Sequence, residues 1–111
     1  MAGGDRLRIN ITRDAEAIVV ALVGDLDVFV ADVARARIDE AINRAVAHAV
    51  ERVLIDVSRL GFCDSTGLSV FVQARDRSKP RGVYLALQSV SEPLRELLRV
   101  AGLGAIVERD A

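Results

Sequence analysis

The spacing of apolar side chains changes several times along the chain, and each change predicts a new element. In residues 7–12, LRINIT, apolar and polar residues alternate, which is typical of a strand with one solvent-facing side. Residues 17–24, AIVVALVG, and 52–57, RVLIDV, are apolar almost throughout, as in strands covered on both faces. The short RDAE stretch at 13–16 favours an antiparallel hairpin between the first two strands.

Two longer stretches have a helical period. The first runs from Val30 to about residues 48–50, and the second runs from Ser65 to the KPRG stretch at 79–82, where Pro and Gly end it. Their predicted inward-facing residues are Val30, Ala34, Ile38, Ala41, Ile42, Ala45 and Ala49 in the first helix, and Leu68, Phe71 and Val72 in the second.

The last third of the chain predicts a strand, a helix and a short final strand. VYLALQ at 83–88 is the strand, and the helix after it is capped by Ser91, begins at Pro93 and closes at Gly102. Its predicted apolar face consists of Leu94, Leu97, Leu98 and Ala101. AIVE at 105–108 predicts one more short strand.

The order of these elements predicts an α/β domain: a mixed four- to five-stranded sheet, opened by an antiparallel hairpin, with about three helices packed on it. A strand, a helix and a strand in succession place the two strands parallel. Because parallel strands bring their carboxyl ends to the same edge of a sheet, we expect Asp25, Asp27 and Asp64 to meet there.

Composition narrows the function classes. A chain of 111 residues is the size of one domain, and we expect it to span residues 1–111 with 1–6 disordered. A net charge of −1 argues against a nucleic-acid partner, and no apolar run is long enough for a membrane span or a signal peptide. One Cys and one His exclude a zinc cage. We therefore expect a cytoplasmic protein with no cofactor, metal, nucleic acid or membrane partner.

The CDSTGL segment interrupts two stretches that otherwise look like buried core. Asp64 and Ser65 stand where the second helix begins, so one interpretation is that they only cap it, which is worth about 1 kcal/mol. If one of them caps, however, a hydroxyl remains free beside the carboxylates. A serine at a helix N-terminus is well placed to carry phosphate, because the unpaired N–H groups and the helix dipole favour the added charge.

At this point the residues resemble the STAS domains, and within them the anti-sigma factor antagonists of bacteria. The segment VVALVGDLDVFVADVARARIDEAI is similar to the family's second strand, its G-[DE]-L-D turn and its first long helix. RVLIDVSRLGFCDSTGLSVFV is similar to the third strand and phosphoacceptor loop, and GVYLALQSVSEPLRELLRVAGL to the strand and helix that follow. Asp27 matches the Asp of the turn, Asp25 replaces its Glu, and Cys63 stands where an apolar side chain is common.

The resemblance implies a partner-switching regulator that is not an enzyme. Unphosphorylated, the domain would bind an anti-sigma factor that is itself a Ser/Thr kinase, and a sigma factor would be released. Phosphorylation of Ser65 would end that binding, and a phosphatase would reset the cycle. Carried over residue by residue, Ser65 is the phosphoacceptor and the partner-binding residues are Asp25, Asp27, Asp64, Ser65, Thr66 and Gly67.

Two alternatives remain open at this level. In a receiver-type domain, Asp64 would accept the phosphoryl group while Asp25 and Asp27 held a cation, although the opening hairpin and the single lysine, Lys79, argue against it. In the other alternative the STAS fold is a non-phosphorylated interaction subunit of a transporter or a stress-signalling assembly. A gain of one phosphate on Ser65 in the presence of ATP and a kinase would separate these readings.

Overall fold

The computed structural model describes residues 7–108, so the predicted disorder of residues 1–6 lies outside the described residues. Four strands form one sheet in the order β1-β2-β3-β4, with β1 at Leu7–Arg13, β2 at Ile18–Leu26, β3 at Arg52–Cys63 and β4 at Tyr84–Gln88. β1 pairs antiparallel with β2, whereas β2, β3 and β4 are parallel. The predicted mixed sheet with an opening hairpin is confirmed.

Three α-helices connect and follow these strands: α1 at Ala31–Ala47, α2 at Ser65–Ser78 and α3 at Glu92–Val100. Short 3₁₀ turns lie at Lys79–Arg81 and Gly104–Ile106. The predicted cap of α3 is confirmed, because the Ser91 hydroxyl accepts a hydrogen bond from Leu94 N at 3.3 Å, and the helix begins at Glu92, one residue before the predicted Pro93.

The predicted buried faces of α1 and α3 need correction at their ends. Ala49 is exposed and has a φ of 57°, because α1 stops at Ala47 and the chain turns back so that Val50 N donates to Ala45 O at 2.9 Å. In α3 only Leu94 and Leu98 are buried, whereas Leu97 and Ala101 are exposed. Leu97 lies about 100° around the helix from Leu98, and α3 meets the core along one narrow stripe.

The predicted fifth strand at 105–108 is also wrong. The chain there forms the second 3₁₀ turn, and its contact with the sheet is an isolated parallel bridge between Val107 and Leu87, with Glu108 N donating to Leu87 O at 2.8 Å. Ile106 is buried in the core just before this bridge. The turn places Ile106 inward, so the segment contributes apolar burial without extending the sheet.

The two faces of the sheet differ. The buried residues of all three helices belong to one cluster with the inward-facing residues of the strands, such as Leu22, Ile55 and Leu87. The other face has a small cluster of Ala17, Leu54 and Ala86, without a helical residue. The sequence predicted β2 and β3 to be covered on both faces, but helices cover only one.

Long polar side chains shield part of this second face. Arg52 lies over the Tyr84 ring at 5.8 Å from its centroid and forms an ion pair with Glu108. The small side chains beside them, such as Ala86, need little cover to be excluded from solvent. On β2, Val19 and Ala21 remain half-buried. A continuous apolar strand therefore does not require a helix on each side.

A row of polar contacts sets the position of α2 relative to α1. Three bonds, each joining residues 38 positions apart, connect α1 to α2 and to the 3₁₀ turn that follows it: Arg35 Nε to Gln73 Oε1 at 3.1 Å, Arg77 Nε to Asp39 Oδ1 at 2.7 Å, and Arg81 Nη1 to Asn43 Oδ1 at 2.6 Å. The constant spacing shows that the helices run parallel. Because α2 begins at Ser65, this row also helps to position the segment that carries the predicted site.

Candidate functional site

The carboxyl ends of β2 and β3 lie side by side and carry the predicted site. β3 runs to Cys63, past the predicted end at residue 57, because it keeps pairing with β2 through two register shifts up to the pair Leu26 and Cys63. Asp64 N then donates to Leu26 O at 3.3 Å. We call the two segments that meet here, residues 25–29 and 61–67, the carboxyl-end rim.

Asp64, and not Ser65, caps helix α2. Its backbone is extended and its carboxylate accepts a hydrogen bond from Gly67 N at 2.9 Å. Ser65 is the first residue of the helix and is exposed, and its hydroxyl has no hydrogen-bond partner within residues 7–108. The cap of the helix therefore does not use the Ser65 hydroxyl, and Ser65 is exposed to solvent.

The structure brings the three predicted carboxylates together at the carboxyl-end rim, where each accepts a backbone N–H. Asp25 Oδ1 accepts from Phe62 N at 2.9 Å, which joins β2 to the end of β3. Asp27 is only 8% exposed, and its Oδ1 accepts from Phe29 N at 3.0 Å. Their role in partner binding stays a prediction, but Asp25 and Asp64 join the two segments of the rim, and Asp27 fixes the turn that follows β2.

The remaining predicted residues differ in exposure. Thr66 is half-buried beside Ser65, and Gly67 is buried. A Cβ atom on Gly67 would lie 2.8 Å from both Leu26 O and Cys63 Sγ, closer than real side chains come. The glycine thus lets the first turn of α2 pack directly against the end of β2. Because Ser65 is exposed and Thr66 is half-buried, Ser65 has the more accessible hydroxyl.

Cys63 is an unreactive thiol in this position. Burial, and to a lesser degree the negative charge of Asp64, raises the pKa of Cys63 to about 12. The thiol is therefore protonated near neutral pH and packs as a small apolar group, in keeping with the apolar residue expected here. Its place against Gly67 makes it part of the packing beneath the carboxyl-end rim.

Sequence reasoning missed the exposed apolar side chains of the carboxyl-end rim. Phe29 is 76% exposed, Val28 is 58% exposed and Phe62 is 57% exposed. A groove of about 330 Å³ beside Ser65 is lined by α2 and by residues that follow α3, including Leu68 and Leu103. Exposed apolar patches with polar residues at their border are typical of protein–protein interfaces. The sequence did offer one signal for these side chains: Val28 and Phe29 directly follow the DLD segment, and Phe62 stands two residues before the DST segment.

Metal-binding clusters and membrane-spanning helices are absent from the described part of the chain. Within residues 7–108, no group of three or more His, Cys, Asp or Glu side chains is arranged to hold a metal ion. The same residues include no helix that is both long enough and apolar enough to cross a bilayer.

Comparison with known proteins agrees with the geometry. The family model described as "Mlab, STAS domain" matches residues 9–108. The anti-sigma F factor antagonist of Paenibacillus polymyxa is 31% identical over 101 residues, which cover 91% of this chain and 84% of the relative. The anti-sigma-B factor antagonist of Bacillus subtilis is 32% identical over 106 residues, with 95% and 92% covered.

A solved structure shares the fold. The anti-sigma factor antagonist SpoIIAA in its unphosphorylated form superimposes with a TM-score of 0.74 at 24% identity, covering 94% of this chain and 89% of that one. The matches in sequence and in fold span nearly the same residues as the sheet, the helices and the carboxyl-end rim. The chain belongs to the STAS domain family and, within it, to the family of the anti-sigma factor antagonists.

Proposed function

We propose that this protein is an anti-sigma factor antagonist controlled by phosphorylation of Ser65. With Ser65 unmodified, the carboxyl-end rim binds an anti-sigma factor that is a Ser/Thr kinase, and the kinase releases its sigma factor. Transfer of phosphate to Ser65 ends the binding, and a phosphatase removes the phosphate. The domain itself catalyses no reaction; it presents the hydroxyl and the surface around it.

The observation that supports this most directly is the division of roles between Asp64 and Ser65. Asp64 satisfies the N-terminal N–H of Gly67, so the exposed Ser65 hydroxyl can be modified without removing a cap. Phosphate at this position lies near the positive end of the helix dipole, which favours its charge within the domain. The fold should therefore tolerate phosphorylation.

The same phosphate is unfavourable in an interface. It adds about −1.5 to −2 charges to a rim that also exposes Phe29 and Phe62. A partner that covers these apolar side chains also covers Ser65, and the phosphate then loses its hydration without gaining a paired cation. Changing a partner from 99% bound to 99% free requires about 5.5 kcal/mol of differential affinity, and a desolvated dianion is a source of that size.

The test is a binding and phosphorylation assay with anti-sigma factor kinases from the source organism. We expect wild type and Ser65→Ala to bind the kinase, and Ser65→Asp to bind at least about 100-fold more weakly. With ATP, wild type gains the mass of one phosphate on Ser65 and Ser65→Ala gains none. Ser69→Asp is the matched control, since Ser69 is exposed one turn further along the same helix.

Two results would contradict the proposal. Equal affinity of Ser65→Asp and Ser65→Ala would show that charge at this residue does not control binding. Absence of phosphate on Ser65 with every kinase that binds the domain would favour the non-phosphorylated interaction subunit. Equal weakening by Ser65→Asp and Ser69→Asp would point to a general effect of negative charge and would remove the special role of Ser65.

A further inference from the structure

The two oxygens of the Asp64 carboxylate bind different segments of the chain. Oδ1 accepts from Gly67 N at 2.9 Å and caps α2, whereas Oδ2 accepts from Val28 N at 3.2 Å, 36 residues away in sequence. Capping requires one oxygen only. The second bond therefore has a separate consequence: it ties the turn between β2 and α1 to the start of the Ser65 helix.

The bond from Asp64 to Val28 N connects α2 with the turn at residues 27–30. Val30 N donates to Asp27 O at 3.2 Å, which is a bond within the turn, and Val30 precedes α1 without a side-chain cap. The backbone bond from Asp64 and the pairing of β2 with β3 both end at Leu26. The bond from Val28 N to Asp64 lies two residues past Leu26, in the part of the turn where the exposed apolar side chains of Val28 and Phe29 begin.

We propose that Asp64 is a positioning residue that holds the 27–30 turn beside Ser65, and that phosphate on Ser65 weakens this hold. The second half of the statement rests on the proposed function, and the first half does not. Phosphorylation would then act on partner binding in two ways, by adding charge at Ser65 and by releasing Val28 and Phe29 from the position that the partner recognises.

Charge repulsion would weaken the hold. Ser65 follows Asp64 directly, so the phosphate and the carboxylate are like charges close together, and like charges repel. A displaced Asp64 carboxylate lengthens its bond to Val28 N, which at 3.2 Å is the longer of its two bonds.

The first experiment measures amide hydrogen exchange by NMR in wild type, Asp64→Asn and Asp64→Ser. Asn and Ser both cap helices, but neither offers the second carboxylate oxygen to Val28. We expect exchange at the Val28 amide to become about tenfold faster, the effect of losing one hydrogen bond to a charged group, while Gly67 changes little. Asp76→Asn, an exposed carboxylate on the same helix, is the matched control and should leave both amides unchanged.

Two outcomes would overturn the positioning role. Unchanged exchange at Val28 in both variants would show that Oδ2 does not hold the turn. An equal acceleration of Val28, Gly67 and the core amides would show that Asp64 acts only as a helix cap, whose loss destabilises the whole domain. Neither outcome depends on a kinase, so this experiment can fail while the proposed function stands.

The second experiment compares Ser65→Asp with Ser65→Asn, which have nearly the same shape and differ in charge. We expect faster exchange at Val28 in Ser65→Asp alone, and faster still in protein phosphorylated on Ser65, with the difference reduced by added salt. Equal exchange in Ser65→Asp, Ser65→Asn and the phosphorylated protein would refute the coupling. If no kinase modifies Ser65, the proposed function fails, while the comparison of the two variants still decides whether charge at this residue reaches Val28.

Discussion

Beneath the helices the sheet is held by apolar contacts, whereas at the carboxyl-end rim neighbouring segments are held by carboxylates that accept backbone N–H groups. Leu22, Ile55 and Phe71 are completely buried in the first region. In the second, Asp25 and Asp64 bind backbone N–H groups of the opposite segment. Val28, Phe29 and Phe62 of the rim, by contrast, are exposed to solvent.

This difference separates stability from recognition. The free energy of unfolding depends mainly on the aliphatic core, where each large side chain contributes several kcal/mol. The carboxyl-end rim contributes individual hydrogen bonds of about 1 kcal/mol and exposes the hydroxyl and the aromatic rings that a partner can contact. Substitutions in the two regions should therefore change different measurable properties, and their effects on stability should fall from the core to the exposed hydroxyl.

The largest effect is expected in the core. Phe71→Ala removes a fully buried ring from α2 and leaves a cavity between the helices and the sheet, so the free energy of unfolding should fall by about 3–5 kcal/mol. Urea denaturation followed by circular dichroism measures the change. A loss below about 1 kcal/mol would show that the core rearranges to fill the space.

A smaller loss is expected where the rim meets the core. Gly67→Ala places a Cβ atom 2.8 Å from Leu26 O, so either β2 or α2 must shift, at a cost of about 1–3 kcal/mol. Gly104→Ala is the matched control, because a Cβ atom there meets no atom within 4 Å. If both variants unfold at the same urea concentration, the close packing around Gly67 does not make a Cβ atom there costly.

A further effect is confined to alkaline solution. The folded protein keeps the Cys63 thiol protonated up to a pKa of about 12, whereas the unfolded chain ionises near the ordinary value of 9.0. The contribution of the protonated Cys63 thiol to the free energy of unfolding is complete below about pH 9 and is lost as the pH rises towards 12. Urea denaturation of wild type and Cys63→Ala between pH 8 and about pH 11 should show a steeper decline for wild type. Parallel declines would contradict the raised pKa.

The smallest effect is expected at the exposed hydroxyl. Ser65→Ala should change the free energy of unfolding by less than about 0.5 kcal/mol, because Asp64 provides the cap. Asp64→Ala should cost about 1 kcal/mol by the same measurement, since it removes the cap. If Ser65→Ala were the more damaging of the two, the assignment of the cap to Asp64 would be wrong.

Local sequence patterns were sufficient to predict most of the fold. The alternation in LRINIT predicted a strand with one solvent-facing side, and Ser91 predicted the cap of α3. The meeting of residues 25–27 with Asp64 followed from the parallel arrangement of β2 and β3 alone. These features depend on near neighbours or on chain order, which a sequence displays directly.

Other features required the tertiary structure. The sequence left Asp64 and Ser65 equally able to cap α2, and it did not indicate that the Asp25 carboxylate accepts from Phe62 N and joins two strands. It predicted a strand at 105–108, where burial of Ile106 in a 3₁₀ turn decided otherwise. The bond of Asp25 and the burial of Ile106 depend on partners far away in sequence, whereas the choice of Asp64 as the cap depends on local side-chain geometry that the sequence does not display.

By itself, then, the sequence determined the order of strands and helices, the edge of the sheet at which the acids gather, and the position of Ser65 at the start of a helix. Only the tertiary structure decided that the acids bind backbone N–H groups and that Val28 and Phe29 are exposed. The physical reason is range: hydrophobic period and capping act over a few residues, whereas the bond between Asp64 and Val28 spans 36 and forms only once the strands have paired in register.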